Sequence, residues 1–165
     1  MTARPNLRWK LSACGRRLLI PPLAALGLAL GCSSDSTLRP PGKFLYAAAA
    51  RACGPADGPA VGIYLATVPV ESLAPPTPYI RIAVWQPLDH LAGGSWLIAA
   101  GDTSAAAWYY TAPNHFEVAT GGHVMVKVVQ PDTTIEGSVD VTFPGVGRVT
   151  GGFRSAWIAS APLCG

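Results

Sequence analysis

From Ala60 onward, apolar residues recur at every second position, in short runs separated by Gly, Pro, Asp and Asn. This alternation sends successive side chains to opposite faces of an extended strand; wrapped into a helix, it would scatter the apolar residues around the circumference. The candidate strands are Val61–Thr67, Tyr79–Gln86, Ser95–Ala100, Ala105–Thr111, His115–Thr120, Val124–Gln130, Thr134–Phe143 and Arg148–Ile158. Phe44–Ala52 (FLYAAAARA) is read as a further strand, although its alanines also favour helix. About eight short strands at close intervals predict an all-β domain over residues 44–165, an antiparallel β-sandwich or a partly closed barrel.

Register sharpens this expectation, because a one-residue slip turns a strand's core face outward. A Gly121-Gly122-His123 loop would pair Phe116 with Val128, Val118 with Val126 and Glu117 with Lys127, leaving the large apolar residues on one face. A Pro144-Gly145-Val146 loop, with Pro and Gly in type II order, would pair Val141 with Val149 and Val139 with Gly151. It also sets Gly137 against Phe153, Glu136 against Arg154, and Asp140 diagonal to Arg148. The expected core is Val124, Val126, Val128, Ile135, Val139, Val141, Phe143, Val149 and Phe153.

The start of the chain is different. Arg4, Arg8, Lys10, Arg16 and Arg17 precede the uncharged run LLIPPLAALGLALG (18–31), and no acidic residue appears before Asp35. Fourteen residues are too few to span a bilayer as a helix, which takes about 20. A basic start, a short apolar run and small residues before a break describe an export signal that is removed. The Arg16-Arg17 pair ahead of Leu18-Leu19 also allows a twin-arginine reading.

The break reads Ala29-Leu30-Gly31-Cys32, followed by Ser33-Ser34-Asp35-Ser36. Over residues 1–36 it resembles the lipobox of bacterial lipoprotein precursors. The resemblance implies cleavage before Cys32, a diacylglycerol on its sulfur and usually a third acyl chain on its amine. Two or three chains anchor stably where one binds marginally, at about 0.8 kcal/mol per buried methylene. Ser33, where Asp would favour inner-membrane retention, implies an outer-membrane location. Ordinary signal cleavage that leaves Cys32 a thiol is the alternative. The expected organisation is a signal peptide (1–31), a lipidated Cys with a polar tether (32–43) and the β domain (44–165).

Removal of residues 1–31 takes five of the 12 basic residues with it, leaving seven against nine acidic ones, a net charge of −2. Such a domain has no electrostatic footprint for nucleic acid. With Cys14 in the leader and Cys32 carrying lipid, Cys53 and Cys164 remain, in a compartment that permits disulfides. A bond between them would close most of the domain into one loop. The alternative, a reactive or metal-binding pair, lacks the close Cys or His spacing such sites show.

Catalytic motifs are sparse. Asp89-His90 with Ser95 offers hydrolase side chains without a G-x-S-x-G elbow. His115, Glu117 and His123 could be assembled into a zinc site, but a solvated polar face is the expectation. Asp102 and Asp132 are read as turn formers. No nucleotide loop appears, and no cofactor or metal is expected. The consecutive Trp108, Tyr109 and Tyr110 are the candidate ligand or partner surface, with Trp108 and Tyr110 on one strand face and Tyr109 on the other. Core filling is the competing role for these rings.

The expected function is therefore a membrane-anchored envelope lipoprotein, held through the lipid on Cys32. Its non-catalytic β domain would bind an envelope protein or glycan, or serve a structural role. The alternatives are a barrel carrying a small apolar ligand and a hydrolase built on residues 89–95.

Overall fold

The computed structural model describes residues 41–160, 162 and 164. The expected leader, the lipidation site Cys32 and the tether up to residue 40 lie outside the described residues. Nine strands follow: β1 (Tyr46–Cys53), β2 (Pro59–Ala66), β3 (Tyr79–Val84), β4 (Ser95–Ile98), β5 (Ala105–Ala112), β6 (His115–Val118), β7 (Gly121–Gln130), β8 (Thr134–Phe143) and β9 (Gly147–Trp157). Short 3-10 turns at Pro55–Asp57 and Leu88–His90 are the only helical elements among the described residues.

The strands form one curled sheet in the order β4-β7-β8-β9-β1-β2-β3-β5-β6, with only the β1–β9 pairing parallel. The expected all-β fold is thus present, and of the two architectures left open, sandwich or partly closed barrel, the curled sheet forms a half-barrel. Alanine-rich β1 is a strand because β2 pairs with it along its whole length and β9 meets it at Ala48 and Ala49. Buried Ala48, Ala49 and Ala50 let those neighbours pack close, so tertiary context overrides helix propensity.

The β8–β9 hairpin has the expected register throughout: Val141 with Val149, Val139 with Gly151, Gly137 with Phe153 and Glu136 with Arg154. The Phe153 ring lies where a Cβ on Gly137 would be. Arg154 meets Glu136 at 3.2 Å, and Arg148 donates to both oxygens of Asp140. The turn chemistry differs from type II. Its left-handed residue is Gly147 (φ 77°), where the strand resumes, rather than Gly145.

The expected 116–128 hairpin does not form. Residues 115–130 run on as one bent strand, whose first part (β6) pairs with β5 and whose second part (β7) lies between β4 and β8. The crossing is made where Ala119 N–H donates to Ala107 O (2.9 Å) and Thr120 N–H to Thr142 O (2.8 Å). A tighter turn just upstream, Pro113-Asn114 with Asn114 at φ 60°, had already paired β5 with β6. Gly122 (φ 134°) serves close approach instead of reversal, since a Cβ there would collide with the Asp140 carbonyl of β8. Phe116 and Val118 consequently face outward, 46% and 52% exposed. Glu117 does not meet Lys127; its carboxylate accepts a 2.7 Å bond from Gly145 N–H in the β8–β9 turn. A register shift between Val126 and Val128 also turns Val128 out of the expected core.

The inner face is one continuous apolar cluster. Ile63, Leu65, Ile80, Ile82 and Val84 face Val124, Val126, Ile135, Val139, Val141 and Phe143, all essentially inaccessible to water. Each such side chain contributes about 1.5–3 kcal/mol on burial. Its buried hydroxyls are satisfied: Thr134 Oγ1 donates to Ser155 O (2.8 Å) and Ser155 Oγ to Ile135 O (2.9 Å). At the end where β1 finishes, Cys53 and Cys164 are joined by the expected disulfide.

Candidate functional site

Because successive residues alternate faces, the inner set of β2 and β3 fixes what they carry outside. Register aligns the outward residues in two rows. The first runs Tyr46, Ala66, Tyr79, Tyr110, Phe116, from β1 across β2, β3 and β5 to β6. The second, one pleat along, runs Ala48, Tyr64, Arg81, Trp108, Val118. Five large rings and a guanidinium therefore share the outside of β2, β3, β5 and β6 with Tyr46 at its β1 margin.

The rings contact one another. Tyr79 and Tyr110 stack with centroids 4.6 Å apart and planes 9° from parallel, and Phe116 leans on Tyr110 at 5.4 Å. Tyr64 lies 6.5 Å from Tyr79. The Arg81 guanidinium sits over the Trp108 ring at 5.5 Å, a cation–π geometry. Its Nε is enclosed and has no hydrogen-bond partner among the described residues. Burial pushes the Tyr64 and Tyr79 phenols up, with the Arg81 charge opposing it, so both hydroxyls are neutral near pH 7. Val70 and Ile158 pack over the Tyr64–Tyr79 side, whereas Phe116 and Val118 stay open to solvent.

Of the three consecutive aromatics, Trp108 and Tyr110 belong to this outer face. Tyr109 is on the other side, 7% exposed, packed edge-on against Phe44 (6.2 Å) and tilted against Phe143 (5.9 Å). It plugs the barrel and takes no part in the surface. Tyr64, Tyr79, Arg81 and Phe116 were not singled out from sequence. The signal for the first three was the alternation itself, since Ile63, Leu65, Ile80 and Ile82 point inward between them.

The other candidates are dispersed. Asp89 and His90 face each other at 3.8 Å in an exposed turn, while Ser95 pairs with Met125 at the start of β4. His115 is at the foot of β6, His123 pairs with Asp140 in β7, and Glu117 is committed to Gly145. No cluster of three metal-ligating side chains occurs among the described residues. Asp102 accepts from Ser104 N–H (2.7 Å) and Ser104 Oγ (2.6 Å), bonds that hold its carboxyl below the usual range and close a turn. Asp132, at φ 55°, makes another turn and meets Arg51 at 3.2 Å.

Several hollows open at the margins of the apolar cluster, one of about 450 Å³ beside Arg51, Asp132 and Trp157. A second of about 380 Å³ is bounded by Ala52, Pro59, Val61, Leu88 and Cys164. A third of about 410 Å³ is bounded by Ile98, Ala100, Asp102, Ala107, Val118 and Thr120, where the bent strand crosses. None of these is lined by Ile63, Leu65, Ile80 or Ile82. Among the described residues no helix is long and apolar enough to cross a membrane. Comparison with protein-family models, with curated proteins and with solved structures finds no match to this chain.

Proposed function

We propose that this protein is an exported lipoprotein of the bacterial envelope, anchored through lipid on Cys32, whose barrel displays a non-catalytic binding surface on the outside of β3, β5 and β6. The observation that carries the reading is the exposed Phe116–Val118 margin beside Trp108 and Tyr110, set outside an interior filled by its own side chains. Aromatic rings held rigid by stacking offer contact area with little entropy left to lose on binding, which suits a recognition surface. The binding-surface reading is favoured over the carrier because large apolar side chains line the inner face, and over the hydrolase because Asp89 and His90 lie in an exposed turn. The polar stretch after Cys32 is a tether that holds the surface close to the membrane.

Two measurements test the reading. Cys32→Ser releases the processed protein from membranes into the soluble fraction; retention after cleavage of the leader overturns the anchor. A photoreactive benzophenone residue replacing Val118 captures a protein, glycan or lipid of the intact envelope, while the same residue at Asp57 does not. Equal capture at the two positions, or none at Val118, overturns the binding surface.

A further inference from the structure

The first outer row has a position along the barrel as well as a face. Tyr46 opens β1, Ala66 closes β2, Tyr79 opens β3, Tyr110 is near the close of β5 and Phe116 is near the start of β6. All five are therefore at one end, the end at which the described chain begins with Pro41–Lys43. Other apolar side chains stand out from the same end. Leu45 precedes β1 and is 62% exposed, while Val68 and Leu73, in the loop between β2 and β3, are 39% and 43% exposed. Charged groups share this end: exposed Lys43 and Glu71 lie among them, Arg154 borders a hollow with Pro41 and Leu45, and the Arg148–Asp140 pair flanks the β8–β9 turn.

The opposite end carries none of these rings. It presents Arg51 paired with Asp132, Asp57, Asp89 and His90, together with the Cys53–Cys164 bond. The apolar rim is thus confined to the end from which the tether departs. Eight residues lie between Cys32 and Pro41, so an extended tether reaches at most about 30 Å and a flexible one averages about half of that. A lipid on Cys32 would keep this end, and not the other, within reach of the bilayer. Tyrosine and other amphipathic aromatics with a wet end and an apolar body are the residues enriched where protein meets the headgroup layer.

We infer that the barrel stands on the lipid surface with this end down, seating Leu45, Tyr46, Val68, Leu73 and Phe116 at the headgroup boundary. This names the occupant of the tether-end margin of the binding surface and rests on the lipid anchor proposed above. The anchor supplies the affinity; the rim fixes the orientation, and the disulfide end faces away from the membrane.

The test uses the full chain, exported, processed and reconstituted in phosphatidylethanolamine–phosphatidylglycerol vesicles. With Cys32 acylated and Cys53 bonded to Cys164, an introduced thiol can be labelled selectively with a nitroxide at Leu73→Cys, Phe116→Cys or Asp57→Cys. Labels at 73 and 116 should lie about 5–10 Å into the boundary and show an oxygen-to-nickel collision ratio at least about threefold above that at 57. All three positions are on the surface, so the fold is retained, which circular dichroism checks. If the protein floats with the vesicles but labels at 73 and 116 collide with the aqueous nickel complex as often as the label at 57, the lipid-facing orientation is wrong and the anchor stands. Shielding from both quenchers means that a protein covers the rim, which also overturns the inference. Failure to float after leader cleavage removes the anchor and this inference with it.

Discussion

Where β1 begins, exposed rings and branched carbons stand beside Lys43, Glu71 and the Arg148–Asp140 pair, and the interior is closed by the Phe44–Tyr109–Phe143 plug. Where β1 finishes, the outside carries charges, and closure is covalent, through Cys53 and Cys164. The two ends share strands and core, so the difference lies in how each is sealed. A cross-link restrains the disulfide end independently of packing, which leaves its surface free to be polar. The end where β1 begins is sealed by aromatic packing, and the side chains of its exposed rim lie outside that packing. Stability should therefore be more sensitive to the disulfide and core than to the rim.

The largest effect should come from the covalent seal. The bonded cysteines are 111 residues apart, a loop whose restraint contributes up to about 4–5 kcal/mol in the chain-entropy model. Cys53→Ser with Cys164→Ser should lower the urea midpoint accordingly, and an unchanged midpoint would mean that packing seals both ends. Next is the shared core. Ile82 is fully buried on β3, opposite Ile63 of β2 and Ala107 of β5, so Ile82→Ala should cost about 2–5 kcal/mol. Phe116→Ser on the rim should stay within about 0.5 kcal/mol of the parent by the same denaturation measurement. A comparable loss at both positions would show that the rim is part of the structural core.

A smaller effect separates the β8–β9 turn from the rest of the end where β1 begins. Glu117 reaches from β6 to the Gly145 N–H, joining the bent strand to the β8–β9 hairpin across 28 residues of sequence. Glu117→Ala should cost about 1 kcal/mol. Amide hydrogen exchange should quicken at Gly145 while Ile135 at the other end of β8 stays protected. Uniform quickening along β8 would place the effect in global stability instead of at this link.

The β8–β9 hairpin was legible in the sequence because several independent constraints agree on one register. Gly137 needs cover that Phe153 gives, and the Glu136–Arg154 and Asp140–Arg148 contacts follow in the same alignment. The bent strand was misread because a glycine pair has two uses, reversing a chain or letting it pass close to another. Only the position of Asp140 on the neighbouring strand shows which applies at Gly122. Strand limits were readable from alternation, as at Thr134–Phe143. Strand order was not, because no local preference states that β3 lies beside β5. Without that order, Tyr79, Tyr110 and Phe116 are three scattered aromatics; with it, they are neighbours in one row.

The last test concerns the one charge pair of the β8–β9 hairpin with bidentate geometry. Arg148 donates through Nε (2.7 Å) and an Nη (2.6 Å) to the two oxygens of Asp140. Those bonds hold the Asp140 carboxyl below its usual range against a smaller desolvation cost, and the charges of Arg148 and His123 reinforce them. A carboxylate whose folded pKa is depressed contributes stability that is complete above its unfolded pKa, near 4, and is lost as pH falls through the lower folded value. The pair's stabilisation should thus be flat from neutral pH to about 5 and decline through the acid range. The effect is small because Arg148 is largely solvated, 68% exposed, and water and salt screen the pair. Asp140→Asn should lower the thermal midpoint slightly at pH 7 and converge with the parent in strong acid. A midpoint difference that persists unchanged in strong acid would assign the loss to packing around β8 rather than to the carboxylate.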